Sequence, residues 1–215
     1  MKNTTLLLIV LLLFTATIQA KYVKAVLYME DGTVKKGLAE KVEYNDSKVK
    51  FKTSEEAKKE KISSTDIKKI EFIDVDNVKF TAERLYATTA NLLTGKFSRS
   101  GKKRWMYIIY DKSAKIGYIT EQGSNRPNAG GTSRVITYGS TSYFFGKKNS
   151  EELVFGYAKS AGSNLAVGTD SLIRKMSKEA FTECPKIIEA IEKTDFKAKS
   201  VIDQLEAIFD KNKCL

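Results

Sequence analysis

Four small groups of residues have the types and spacing to do chemistry. Ser171 and Lys175, in SLIRK, fall four apart on one side of an expected helix, where an amine can activate a hydroxyl. Asp74/Asp76 and Glu151/Glu152 are paired carboxylates, the groups that hydrolyse glycans or bind calcium. NAGGTSR, Asn128 to Arg134, has the glycines of a phosphate-cradling loop. Each signal is weak. Ser–Lys pairs are common on solvated helices, acidic pairs are frequent in turns, and no EF-hand spacing surrounds these. The glycine loop lacks the closing Gly-Lys-Ser/Thr and the strand-to-helix setting, so it reads as an ordinary loop. The chain has no histidine, which removes the usual general base, the Ser-His-Asp triad and nearly all transition-metal sites. No catalytic residue, metal or cofactor is therefore expected.

The densest positive charge lies in GKFSRSGKKRWMYIIYD, Gly95 to Asp111. Arg99, Lys102, Lys103 and Arg104 surround Gly101, where a turn would fall, and Trp105 begins an apolar run. Strict alternation would place Trp105, Tyr107 and Ile109 on one face and Met106, Ile108 and Tyr110 on the other. Both faces are apolar, which favours a central, covered strand fed by a charged turn. The other reading is an anionic-ligand site on that turn, with Trp105 at its edge. Charge reversal at Arg99, Lys102, Lys103 or Arg104 should then weaken binding first.

The compartment decides which anions such a surface could meet. MKNTTLLLIVLLLFTATIQA has a positive Lys2, an apolar run from Leu6 to Phe14, and the small Ala20 before Lys21. This is the pattern of a secretory signal peptide cut between Ala20 and Lys21. The run is shorter than the ~20 residues that span a bilayer, and no later segment could cross one. Export to the periplasm, the outer membrane or beyond is expected. The formal charge is +11 from 37 basic and 26 acidic residues, and losing Lys2 leaves +10. Anionic envelope polymers or lipid surfaces become the expected partners, and nucleic acid is disfavoured. A Lys-rich surface that merely keeps the chain soluble is the plainer reading, because the lysines are spread along it among Glu and Asp. Cys184 and Cys214 survive the cut and, as an even pair in an oxidising compartment, should form a disulfide.

The elements that would position these residues fall into three parts after the leader (1–20). Residues 21–75 read as a small antiparallel barrel or curled sheet. Val23, Ala25 and Leu27 alternate, Asp31-Gly32 makes a tight hairpin turn, and Gly37 suits a sharp bend or close backbone approach. Val42 and Tyr44 continue the pattern, Asn45-Asp46 turns, and Val49 with Phe51 supplies the next strand. SEEAKKEK is an exposed connection, and a short turn at Ser64 to Ile67 leads to Ile70 and Phe72. Residues 76–157 carry further hairpins: RWMYIIYD with KIGYITEQG, and SYFF with LVFGY about Lys147 to Ser150. AERLYATTANLLTG reads equally as helix or strand, and NRPNAGGTSR reads as loop. Residues 158–215 are helical. Thr169 or Asp170 caps the first helix, Pro185 opens the second, and Val201, Leu205, Ile208 and Phe209 stripe the third. The fold class is α+β.

The strand order of the first part resembles small SH3-like or Sm-like barrels, carried by DGT…G and the short turn before the last strand. The whole layout, ending in CPKIIEAIEK…FDKNKC, resembles uncharacterised exported proteins of Bacteroidota-type bacteria. These resemblances imply a fold and export, and no activity. The resulting expectation is an exported, non-catalytic protein that binds or scaffolds at the cell envelope. A carboxylate hydrolase and a nucleic-acid binder are the alternatives.

Overall fold

The computed structural model describes residues 22–91, 94–122, 124–127, 134–137, 139–160, 169–196 and 201–214. The leader with Ala20 and Lys21, and most of NAGGTSR, lie outside them. The described chain divides into two compact units, residues 22–42 with 46–79, and residues 43–45 with 80–214.

In the first unit five antiparallel strands follow one another: β1 (Tyr22–Met29), β2 (Val34–Glu40), β3 (Lys48–Lys52), β4 (Glu60–Ser63) and β5 (Ile67–Ile73). They lie side by side in the order β5-β1-β2-β3-β4 and make no clear closed barrel. Period-two alternation builds the core: Leu27, Ala39, Phe51, Ile67, Ile70 and Phe72 are fully buried on one face. The β1–β2 turn needs Gly32 at φ +85°, and Asp31 Oδ1 accepts the Thr33 N–H at 2.9 Å and its hydroxyl at 2.7 Å. Gly37 permits a close approach, since a Cβ there would lie 2.1 Å from the Lys52 carbonyl oxygen. β2 ends at Glu40, so Val42 is buried without belonging to a strand, and Tyr44 likewise lies outside one. A 3-10 turn at Ser64–Asp66 leads into β5, held by the Ser64 hydroxyl donating to the Asp46 carbonyl at 2.8 Å.

The second unit begins with AERLYATTA as part of a long strand, β6 (Lys79–Ala90), which settles that segment against helix. There follow β7 (Phe97–Arg99), β8 (Arg104–Asp111), β9 (Ala114–Glu121), β10 (Ser124–Pro127), β11 (Arg134–Thr137), β12 (Ser140–Lys147) and β13 (Glu152–Ser160). The antiparallel path runs β6-β8-β9-β12-β13, β7 flanks β6, and β13 pairs back to β6 in parallel from Glu152↔Tyr86 to Val154↔Thr88. The segment expected as loop, Asn125 to Arg134, instead contributes both ends to a β10–β11 ladder. The β-branched run Val135, Ile136, Thr137 supplies its partner, and Pro127 sits at a strand end, where its missing N–H costs least. β8 is central, between β6 and β9, but its alternation breaks. Ile108 faces Gly117 and Tyr110 faces Ile116, leaving Ile109 as a bulge residue and exposed.

The bulge sorts the apolar residues onto two faces. Met106 packs with Leu85, Ile119, Phe144 and Leu153 on one. Tyr110, Ile116, Phe145, Val154 and Tyr157 pack on the other against the helices α1 (Thr169–Ala180), α2 (Pro185–Glu192) and α3 (Val201–Lys211). Ile173, Met176, Ile187, Leu205 and Phe209 are the buried helix positions, as their 3.6-residue spacing requires. Arg174 ties α1 to the end of α2, donating to the Ile191 carbonyl at 2.9 Å and the Thr194 carbonyl at 2.6 Å. Cys184 and Cys214 are bridged, with Cα atoms 5.2 Å apart, joining the start of α2 to the residues after α3. Among the described residues no helix is long and apolar enough to cross a membrane.

Candidate functional site

The basic turn is built into the β6–β13 seam. Arg99 ends β7 with its guanidinium carbon 3.6 Å from the Tyr86 ring centroid and Nε 3.4 Å from Glu152 Oε2. Lys103 Nζ lies 3.0 Å from Glu151 Oε1 and 5.8 Å from the same Tyr86 ring. Arg104 opens β8 beside the Tyr44 ring, at 5.8 Å. Lys102 is exposed, and its carbonyl accepts the Ser100 hydroxyl at 3.0 Å. Trp105 is only 2% exposed, so it belongs to the core and not to the edge of a ligand site. Two of the four cations thus already face carboxylates. The Glu151/Glu152 pair is used in the same contacts, with Glu152 also accepting the Thr88 hydroxyl.

The other chemical groups are similarly placed. Asp74 Oδ1 accepts the N–H groups of Asp76 at 3.0 Å and Val78 at 2.9 Å, so this carboxylate organises its own turn. Asn77 occupies the left-handed region at φ 60° there. Ser171 and Lys175 are exposed on α1. No cluster of three or more metal-ligating side chains occurs among the described residues.

A different basic surface emerges from the first unit. Because β1 buries its odd-numbered residues, its even ones lie on the face opposite the core, and the register carries that parity across the sheet. Lys24, Lys36, Lys48, Lys50, Lys52, Lys61 and Lys69 share this face with Glu40 and Glu71 among the described strand residues, and Glu55 and Asp74 border it from the connections. Lys50 pairs with Glu40 at 2.7 Å and Lys69 with Glu71 at 2.8 Å. The Glu71 carboxyl is held below its ordinary value by Lys69 and by the Tyr28 hydroxyl, which donates to it at 2.9 Å. Tyr22 is raised by burial and by its hydrogen bond to Glu40. Lys24, Lys36, Lys48 and Lys61 make no ion pair among the described residues.

One transverse row of this face reads Ile73, Lys24, Leu38, Lys52 across β5, β1, β2 and β3. Above it opens a cleft of about 430 Å³, bounded by Tyr22, by Glu55 of the β3–β4 connection and by the Asp74–Asn77 turn. That size suits a small molecule or the end group of a larger one. Lys52 Nζ lies 5.1 Å from the Tyr22 ring centroid and donates to the Glu55 carbonyl at 3.2 Å. Sequence reading missed this site because its lysines are far apart along the chain. The available signal was parity: KVKFK in β3 puts a lysine at every outward position.

Comparison with known proteins adds no relative: no family model, curated protein or solved structure matches the chain.

Proposed function

We propose that this is an exported, non-catalytic protein of the cell envelope that binds anionic polymer or lipid through the lysine face of its first unit. The observation that carries this reading is the excess of lysines over carboxylates on the outward side of β1 to β4. Cations fixed on one side of a sheet attract a polyanion without a shaped pocket, and salt weakens that attraction. The leader pattern, the disulfide and the layout resembling exported Bacteroidota-type proteins support the compartment. Processing after Ala20 would add a free amine at Lys21, one residue before Tyr22.

The test is co-sedimentation of the mature protein with phosphatidylglycerol vesicles, phosphatidylcholine vesicles and isolated envelope polymer, at low and high salt. Salt-sensitive binding to an anionic envelope target is expected, lost in the triple variant Lys36→Glu, Lys48→Glu, Lys61→Glu and retained in Arg99→Glu. Failure to bind any envelope component at low salt would sink the proposal. Binding to oligonucleotides alone would return the nucleic-acid reading to the front. Mass spectrometry of the native protein checks the compartment: a chain starting at Lys21 with Cys184 bridged to Cys214 is expected, and an uncleaved, reduced chain would remove the premise.

A further inference from the structure

The cleft above the Ile73–Lys24–Leu38–Lys52 row differs from the rest of the lysine face in having walls, the apolar Ile73 and Leu38 in its floor, and two lysines that make no ion pair among the described residues. Lys24 and Lys52 stand on either side of Leu38, roughly 10 Å apart at the backbone, a gap that two lysine stems can close around one anion. Two carboxylates, Asp74 and Glu55, also line the cleft, and neither forms an ion pair with these lysines among the described residues. Asp74 Oδ1 is turned into its own loop by two backbone N–H groups, and Glu55 offers Lys52 its carbonyl. Val75, at the rim, is 87% exposed, and Val78 after it is 55% exposed. An exposed valine at the rim of a cleft that holds two lysines suits a ligand that is apolar next to its charge.

We propose that this cleft binds the phosphate headgroup of an anionic phospholipid, with the phosphate between Lys24 and Lys52, the glycerol region against the Tyr22 ring, and the acyl stem over Leu38, Ile73 and Val75. The site rests on the envelope-binding reading and adds a specific ligand subsite to it. A face that works by charge alone treats all polyanions alike, whereas the cleft discriminates by the group joined to the phosphate.

Calorimetry with monomeric dihexanoyl phosphatidylglycerol tests this, with dihexanoyl phosphatidylcholine and glycerol phosphate as comparison ligands. The anionic lipid should bind at least about tenfold more tightly than either, because one lacks the net charge and the other the stem. Lys24→Ala with Lys52→Ala should weaken it by about tenfold or more, and Val75→Asp, at an exposed rim position, should weaken it while leaving the thermal melt unchanged. Lys36→Ala, on the same face but outside the cleft, should change it less than about twofold. Equal affinity for the choline lipid, or no loss in the double lysine variant, overturns the assignment. Equal affinity for glycerol phosphate overturns the apolar half of it. Salt-sensitive vesicle binding with no uptake of the short-chain lipid discards the cleft and leaves the charged face standing. Short-chain binding with no vesicle or polymer binding does the reverse.

Discussion

In the turn before β8, Arg99 faces Glu152 and Lys103 faces Glu151; on the outward side of β1 to β4, Lys24, Lys36, Lys48 and Lys61 have no such partners among the described residues. The turn concentrates its cations in a few consecutive residues, and the fold brings acidic residues from the start of β13 to meet them. The sheet face spreads its cations over four strands, each lysine set by pleat and register. Charge density along a sequence is therefore a poor guide to charge available to a ligand. A cluster close in sequence is easily matched by one acidic pair, whereas a dispersed face would need a counter-charge at every strand.

The most damaging way to break this contrast is to disturb the register that creates the face. A side chain at position 37 would collide with the Lys52 carbonyl and the Phe51 ring, so Gly37→Val should cost about 3 kcal/mol or more and separate β2 from β3. At Gly101, in the basic turn, nothing lies within 4 Å of an added Cβ, and Gly101→Ala should stay within about 0.5 kcal/mol. Thermal melts of the two variants decide it, and equal stability would show that the β2–β3 contact is not what sets the face. Next in size is the disulfide, which closes a loop of sequence separation 30 and should contribute about 3–4 kcal/mol in the chain-entropy account. Cys184→Ser with Cys214→Ser should speed hydrogen exchange in α2 and α3 while leaving β1 to β4 protected. Equal loss of protection in both units would contradict a local role.

These sites differed in how much of them the sequence disclosed. The Asp31-Gly32 turn, the close approach at Gly37 and the helix stripes are legible because each rests on local chemistry or on a period within one element. The cysteine pairing is legible because only two cysteines exist. The bulge at Ile109 is not, because it depends on how β9 pairs with β8, and that pairing places Tyr110 on the helix-covered side. The β10–β11 ladder was hidden by Pro127 at its end and by the glycines between its strands, and β6 by alanines and a leucine that suit helix as well as strand. The lysine face needs both parity within strands and register between them, and only the first is written locally.

A smaller effect sharpens the contrast at the seam. Glu152→Gln removes the charge facing Arg99 and weakens the contact with Thr88, at a position about one-third exposed. A loss of about 1 kcal/mol is expected, reduced by solvent screening. Lys48→Gln, on the open face, should be neutral to within about 0.5 kcal/mol. Urea denaturation measures both, and a Lys48→Gln loss as large as that of Glu152→Gln would mean that the face lysines are structural after all.

The smallest expected effect is on pH dependence, and it separates the paired from the unpaired part of the face itself. Glu71 is lowered from 4.5 by its hydrogen bonds with Lys69 and Tyr28, so the folded state holds the proton less tightly than the unfolded chain does. Its stabilising contribution is fully present above 4.5 and is lost as pH falls through the lower folded value. Glu183, Glu189 and Glu192 behave in the same direction beside their lysine partners in the second unit. Glu71→Gln should therefore flatten part of the acid limb reported by first-unit amides, while second-unit amides keep theirs. Lys24→Gln should leave both limbs unchanged, because no carboxylate among the described residues forms an ion pair with that ammonium group. A shifted acid limb in Lys24→Gln would reveal a partner for Lys24 and weaken the case that its charge is free for an anion.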